Sequence, residues 1–177
     1  MTAAELPGTT SPEPTWDATS DLAPDDDGPR WLTAEEQQVW RDYLDVTRRF
    51  TDRLNRQLVD DSGMTLAEYE ILVQLSEHPS RQIRMSELAD LAVHSRSRLT
   101  HTVRRLEARG WVARQDCLDD RRGILCVLLD DGFAALEAAA PGHVEAVRSG
   151  LFDPLDDADV KTLGVAMHKI RNALREA

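Results

Sequence analysis

The sequence predicts a mainly α-helical fold carrying one small β-hairpin. Three observations lead to it. Apolar residues recur every three or four positions over long stretches near both ends of the chain. Between them lie a short helical pattern, a tight link and a second, capped helical pattern. Two short strand-like runs follow at once, the second rich in β-branched and Leu residues, separated by a polar turn.

The elements follow in order. Thr33 and Glu36 form a capping-box pattern, and behind it Trp40, Tyr43, Leu44, Thr47, Phe50, Leu54 and Leu58 mark one face of a helix over about 34–60, ended near Ser62-Gly63. Thr65 and Glu68 repeat the box before a second helix that carries Leu66, Tyr69, Leu72, Val73 and Leu75 and stops before Pro79. Met85, Leu88, Ala89, Leu91 and Ala92 give a third helix, about 85–92, and Val93-His94 a tight link. Ser95 is placed to cap a fourth helix, 96–109, and Gly110 to end it. Trp111 to Arg114 and Ile124 to Leu129 read as the strands of a hairpin around the polar stretch Asp116 to Gly123. Asp130 is expected to cap a fifth helix with Phe133, Leu136, Ala140, Val144, Val147 and Leu151 on its buried face, kinked at Pro141. After Pro154, Asp156 and Asp159 open a sixth helix, whose stripe is Val160, Leu163, Met167, Ile170 and Leu174.

Composition bounds what such a fold can do. The 177 residues carry a net charge of −11 and are 41% hydrophobic but only 5% aromatic, enough for one domain whose core is Leu, Val, Ile and Ala. No apolar run approaches the roughly 18 residues of a membrane span, no secretory pattern opens the chain, and two cysteines are too few for a disulfide scaffold. The expected location is the cytoplasm, away from membranes. A Gly-rich phosphate loop, a nucleophile elbow and a metal box are all missing, and the histidines (78, 94, 101, 143 and 168) show no ligand spacing. An enzyme, a cofactor and a metal site are therefore not expected.

The charge is unevenly spread. Residues 1–30 hold five of the eight prolines and a net −6, with almost no apolar periodicity, and read as a disordered acidic tail. The remaining 31–177 form the folded domain, net −5. Inside it the window 81–123 holds ten arginines, no lysine and six acids. The planar donor fork of arginine suits phosphate and guanine edges. On the fourth helix Leu99, Val103 and Leu106 face the core, with Thr102 beside them. Ser97, Thr100, His101, Arg104, Arg105 and Ala108 lie opposite or to the side, Arg96 and Arg98 reach forward from the first turn, and Glu107 is the only acid. Such a face fits a DNA major groove. The turn Asp119-Asp120-Arg121-Arg122-Gly123 puts arginine at a hairpin tip, where it can enter a minor groove, with Asp120 placed to hold Arg122 by a charge-assisted pair. A helix–turn–helix followed by a basic hairpin is a winged helix–turn–helix, at about 64–130. The flanking long helices, about 33–61 and 131–175, carry apolar stripes too extensive for so small a module, and the simplest partner is a second copy.

Over about residues 33–175 the chain resembles the MarR family of bacterial regulators. The resemblance is carried by Ser86-Glu87-Leu88-Ala89, by His94 through Val112, by Asp120-Arg121-Arg122-Gly123 and by Ile124 to Leu129. Asp130-Asp131-Gly132 departs from it, since the family often has Thr there. The resemblance implies a homodimer on a pseudo-palindromic duplex operator, repressing genes until a ligand or oxidant relieves it. Ser95, Arg96, Arg98, Thr100, His101, Arg104 and Arg105 would face the DNA, and the Asp120–Arg122 pair would place the wing. Trp40, Tyr43, Tyr69 and Arg105 are candidates to line a pocket for a small aromatic or phenolic effector, the alternative being that the aromatics are core. Cys117 and Cys126 flank the wing turn, so a redox-responsive wing is a second reading of the switch, against ordinary reduced thiols. A winged-helix interaction module without DNA binding is the remaining alternative, and it predicts acids where this chain has arginines.

Overall fold

A computed structural model of the protein describes residues 29–91, 95–117 and 123–176. Most of the acidic tail, the link Val93-His94 and the hairpin tip with Asp119, Asp120, Arg121 and Arg122 lie outside the described residues. The chain divides into a short N-terminal unit, Met1–Gln38, and a main unit, Val39–Ala177. In the first, Thr33 and Glu36 cap each other's backbone: Thr33 N–H donates to Glu36 Oε2 (2.8 Å) and Glu36 N–H to Thr33 Oγ1 (3.2 Å).

The elements are α1 (Ala34–Ser62), α2 (Leu66–Glu77), β1 (Gln82–Arg84), α3 (Met85–Leu91), α4 (Arg96–Ala108), β2 (Val112–Asp116), β3 (Ile124–Leu128), α5 (Asp130–Val147) and α6 (Asp157–Glu176). A π-helical turn, Arg148–Phe152, continues α5. The fold is thus the expected mainly helical one, with a small antiparallel sheet. Among the described residues no helix is long and apolar enough to cross a membrane.

The chain stops and starts follow local chemistry. Gly63 and Gly110 take φ of 63° and 70°, the left-handed values that let a helix end in a tight turn. The second capping box forms in full on α2, and Asn55 of α1 adds a further cap by accepting the Leu66 N–H (3.0 Å). Asp156 accepts from the N–H groups of Ala158 (2.8 Å) and Asp159 (2.9 Å) at the head of α6.

The core gathers Leu58 from α1, Ile71, Leu72 and Leu75 from α2, Leu88 from α3, Leu99, Val103 and Leu106 from α4, Cys126 and Leu128 from β3, and Leu136 and Ala139 from α5. Burying a large apolar side chain stabilises by about 1.5–3 kcal/mol. The winged module therefore carries the bulk of the core. Outside it, α1 buries only Leu54 and Leu58, and α6 buries nothing fully. Trp40, Tyr43, Val144, Met167 and Ile170 remain substantially exposed.

Three details differ from the expectation. The hairpin has a third strand: β1 pairs with β3, giving the order β1-β3-β2, with Ile83 opposite Cys126. Asp130 is not the cap of α5; the cap position falls on Leu129, which makes no side-chain cap bond. The carboxylate of Asp130 instead lies 3.8 Å from Arg81. Finally, α5 runs through Pro141 to Val147, and the irregularity falls at the π turn. There Gly150 lies so close to α1 that a Cβ on it would stand 2.8 Å from the Phe50 ring.

Candidate nucleic-acid interface

The fourth helix is set on the module by its inner face. Ser95 caps it, its Oγ accepting from the Arg98 N–H at 3.3 Å. Leu99, Val103 and Leu106 are buried behind it with Thr102, whose hydroxyl donates to the Arg98 carbonyl (3.1 Å). That fixes the opposite face outward. Ser97, Arg98, His101 and Arg104 are exposed, and Thr100 is half-buried. Ser97, Thr100, His101 and Arg104 together line a shallow depression of about 440 Å³. Arg96 opens the helix, but its side chain lies outside the described set. No acid projects from this face, since Glu107 turns away toward β2.

Glu107 has a structural task. Its Oε1 accepts from the backbone N–H of Arg114 (3.1 Å) and from Arg114 Nε (3.0 Å), while Oε2 lies 2.7 Å from Arg114 Nη2. A two-pronged carboxylate–guanidinium fork of this kind holds orientation as well as contributing energy. It fixes the root of β2, and hence of the hairpin, against the last turn of α4. These two residues stand seven apart across the Gly110 turn, so helix periodicity gives no hint of the pairing.

Several other arginines of the basic window are also committed to the scaffold. Arg81, at a φ of 51°, lies over the Phe133 ring at 3.8 Å. Arg109 donates to the Gly63 carbonyl (2.6 Å) and covers Trp111. Arg84 donates to Cys117 Sγ at 3.4 Å. Arg105, expected to face both DNA and an effector, is paired with the buried Glu68: Nε lies 3.1 Å from Oε1. Arg98 and Arg104 are the exposed arginines of α4 that form no ion pair among the described residues.

The four residues expected to line an effector pocket do not converge. Trp40 and Tyr43 stack on each other at 5.8 Å on α1. Tyr69 is buried against His143 of α5 at 4.3 Å, where burial lowers the histidine pKa and raises that of the tyrosine. Arg105 is held by Glu68. A cleft of about 900 Å³ does exist, but of the four only Tyr43 lines it, together with Thr47, Thr51, Asn55, Glu70 and Arg98 among others. The sequence pattern missed Arg98 as a cleft residue because the cleft forms between α1, α2 and the start of α4.

The cysteines are also not opposed. Cys126 pairs with Arg114, whereas the Cys117 N–H donates to the Gly123 carbonyl. The two are offset by three positions, about 10 Å along a strand, beyond the roughly 7 Å between Cα atoms that a disulfide spans. Both thiols are free and buried. Burial, with help from the Glu107 charge, pushes the Cys126 thiol up to about 12. In the folded protein Cys126 should stay unreactive toward iodoacetamide at pH 8 and become labelled only on unfolding; rapid native labelling would contradict this environment. Because folding raises this pKa from its ordinary 9.0, the associated stability is complete below that pH and is lost as pH climbs toward about 12.

A three-stranded sheet behind a capped helix with an arginine-bearing, acid-free outer face defines a winged helix–turn–helix protein. Comparison with known proteins carries this further. A family model described as the MarR family matches residues 62–123. The chain is 49% identical to Sco3205 of Streptomyces coelicolor, a MarR family transcriptional regulator solved in complex with DNA, over 84% of this chain and 92% of that one, with a TM-score of 0.79. It is 40% identical to the Streptomyces coelicolor regulator AbsC, over 84% of this chain and all of that one (100%), with a TM-score of 0.78. It is 30% identical to the HTH-type transcriptional repressor YetL of Bacillus subtilis, over 75% of this chain and 81% of that protein. The chain belongs to the MarR family and is a DNA-binding transcriptional regulator.

Proposed function

We propose that the protein is a cytoplasmic, non-enzymatic homodimer that binds a pseudo-palindromic duplex operator and represses transcription until a small ligand releases it. Residues 31–177 form the MarR-type domain, with the acidic residues 1–30 as an appendage. The observation that carries the reading is the outer face of α4, where Ser97, Arg98, His101 and Arg104 project without an acid among them. Ser95, Arg96, Thr100 and the wing residues Asp120, Arg121 and Arg122 complete the proposed DNA-facing set.

Dimerisation is supported by what the single chain leaves uncovered. Trp40, Tyr43, Val144, Met167 and Ile170 belong to the stripes of α1, α5 and α6, and a two-fold partner offering the same helices would cover them. A dimer also doubles every groove contact, matching a two-fold operator. Relief by a ligand is supported by the cleft beside α1, where Arg98 comes from α4 itself. An aromatic carboxylate held by Arg98 there would withdraw that side chain from DNA. The name of YetL as a repressor favours the same sign of regulation.

Two measurements test the proposal. Sedimentation should find a dimer, and replacing Ile170 with Asp should shift it to monomer. A duplex selected by the protein from a random pool should bind far more tightly than random duplex, with log affinity falling linearly as log salt rises. No preference over random DNA, or a flat salt response, would remove the operator-binding reading.

A further inference from the structure

We infer that the Glu68–Arg105 pair sets the angle of the recognition helix on its scaffold, so that Arg105 is a positioning residue and not a DNA contact. The inference rests on α4 being the DNA-facing element. Glu68 sits in the first turn of α2 with its whole side chain buried (0% exposed), a charged residue in the core of the module. Its Oε2 is used by the cap, accepting from the Thr65 N–H and the Thr65 hydroxyl, both at 2.8 Å. Its Oε1 has no aligned hydrogen-bond donor among the described residues and stands 3.1 Å from Arg105 Nε.

A capping box works as well with glutamine as with glutamate at this position. The negative charge is therefore more than the cap needs, and an unpaired carboxylate would be strongly unfavourable at full burial. Arg105 supplies the compensation, reaching back from a helix whose adjacent residue, Arg104, points outward. Arg109, one turn further on, donates to Gly63 O at 2.6 Å. Two arginines on one side of α4 thus grip the same corner, residues 63–68, which α1 also caps through Asn55. Consecutive residues on a helix are separated by a fixed rotation of about 100°. Holding Arg105 therefore refines where Arg104 and Arg98 aim, within the orientation that buried Leu99, Val103 and Leu106 already set, and releasing the hold frees a small change of angle.

The test uses the full-length protein and a duplex that the wild type selects from a random-sequence pool. Glu68→Gln retains the cap and removes the charge; Arg105→Gln removes the cation from a half-exposed position, so it also serves if Glu68→Gln folds poorly. Each should lower affinity for the selected duplex about tenfold, and the double variant should be no worse than either alone, as for two ends of one interaction. The salt slope should not change, because every phosphate neighbour is retained. A slope lowered by about one charge per protomer in Arg105→Gln, with Glu68→Gln at wild-type affinity, would make Arg105 a DNA contact and overturn the inference. Arg104→Ala, measured in parallel, separates the two levels. If Arg104→Ala weakens binding and the pair variants do not, the tie fails alone; if all are neutral, the DNA-facing reading of α4 fails.

Discussion

Replacing Gly132 with Ala should destabilise the protein by about 3 kcal/mol or more, at the upper end of what overpacking by one methyl group causes. Gly132 lies in the first turn of α5, where a Cβ would overlap the carbonyl oxygen of Trp111 and stand 2.9 Å from its carbonyl carbon and 3.0 Å from Leu128 Cδ1. The Leu128 side chain can shift, but the Trp111 carbonyl cannot move freely, because it accepts the Leu129 N–H at 3.0 Å. The close approach joins the head of α5 to the entry of β2, so the added methyl should both lower the urea midpoint and loosen the wing. Equilibrium unfolding followed by circular dichroism measures it, and wild-type stability in Gly132→Ala would show that helix and strand are not packed as described.

Arg104→Ala should weaken binding to the selected operator duplex by roughly 1–3 kcal/mol for each base edge that the guanidinium no longer reaches, counted twice in a dimer. Arg104 is exposed in the middle of α4, beside His101 and Thr100, and forms no ion pair among the described residues. Its removal should therefore leave thermal stability and the sedimentation coefficient unchanged. Arg104→Lys separates the kinds of interaction: restored affinity with unchanged sequence preference identifies a phosphate neighbour, while weak binding with relaxed preference identifies a bidentate base contact. Unchanged affinity in both variants would move the reading face off this side of the helix.

Much of the fold was legible because helix boundaries are written locally. Thr65, Ser95, Gly63 and Gly110 act through their own backbones or those of residues within a turn, so they are visible in a linear string. The inward face of α4 was equally legible, since Leu99, Val103 and Leu106 obey helical spacing. What was missed depends on residues far apart. Strand β1 is three residues long and exists by pairing with β3, over forty positions away. The commitment of Arg105 to Glu68 spans 37 positions. The cysteine offset follows from hairpin register, which the turn and not the spacing decides. On α4 the helical wheel separated core from surface, whereas Val144, expected on the buried face of α5, is 54% exposed; nor could a wheel tell an arginine that meets solvent from one that reaches sideways to a buried acid.

The ion pairs Arg81–Asp130, Arg105–Glu68 and Arg114–Glu107 neutralise three cations of the basic window within the module itself. The outer face of α4 is left with Arg98 and Arg104 and no acid between them, on a chain whose net charge is −11. A basic patch on an acidic body is attracted by the field of a polyanion before the two surfaces touch. An approach with this face of α4 leading is favoured over one that brings an acidic surface to the phosphates first. The arginines that bind nothing but the scaffold thereby improve the odds that the first collision is a correctly oriented one.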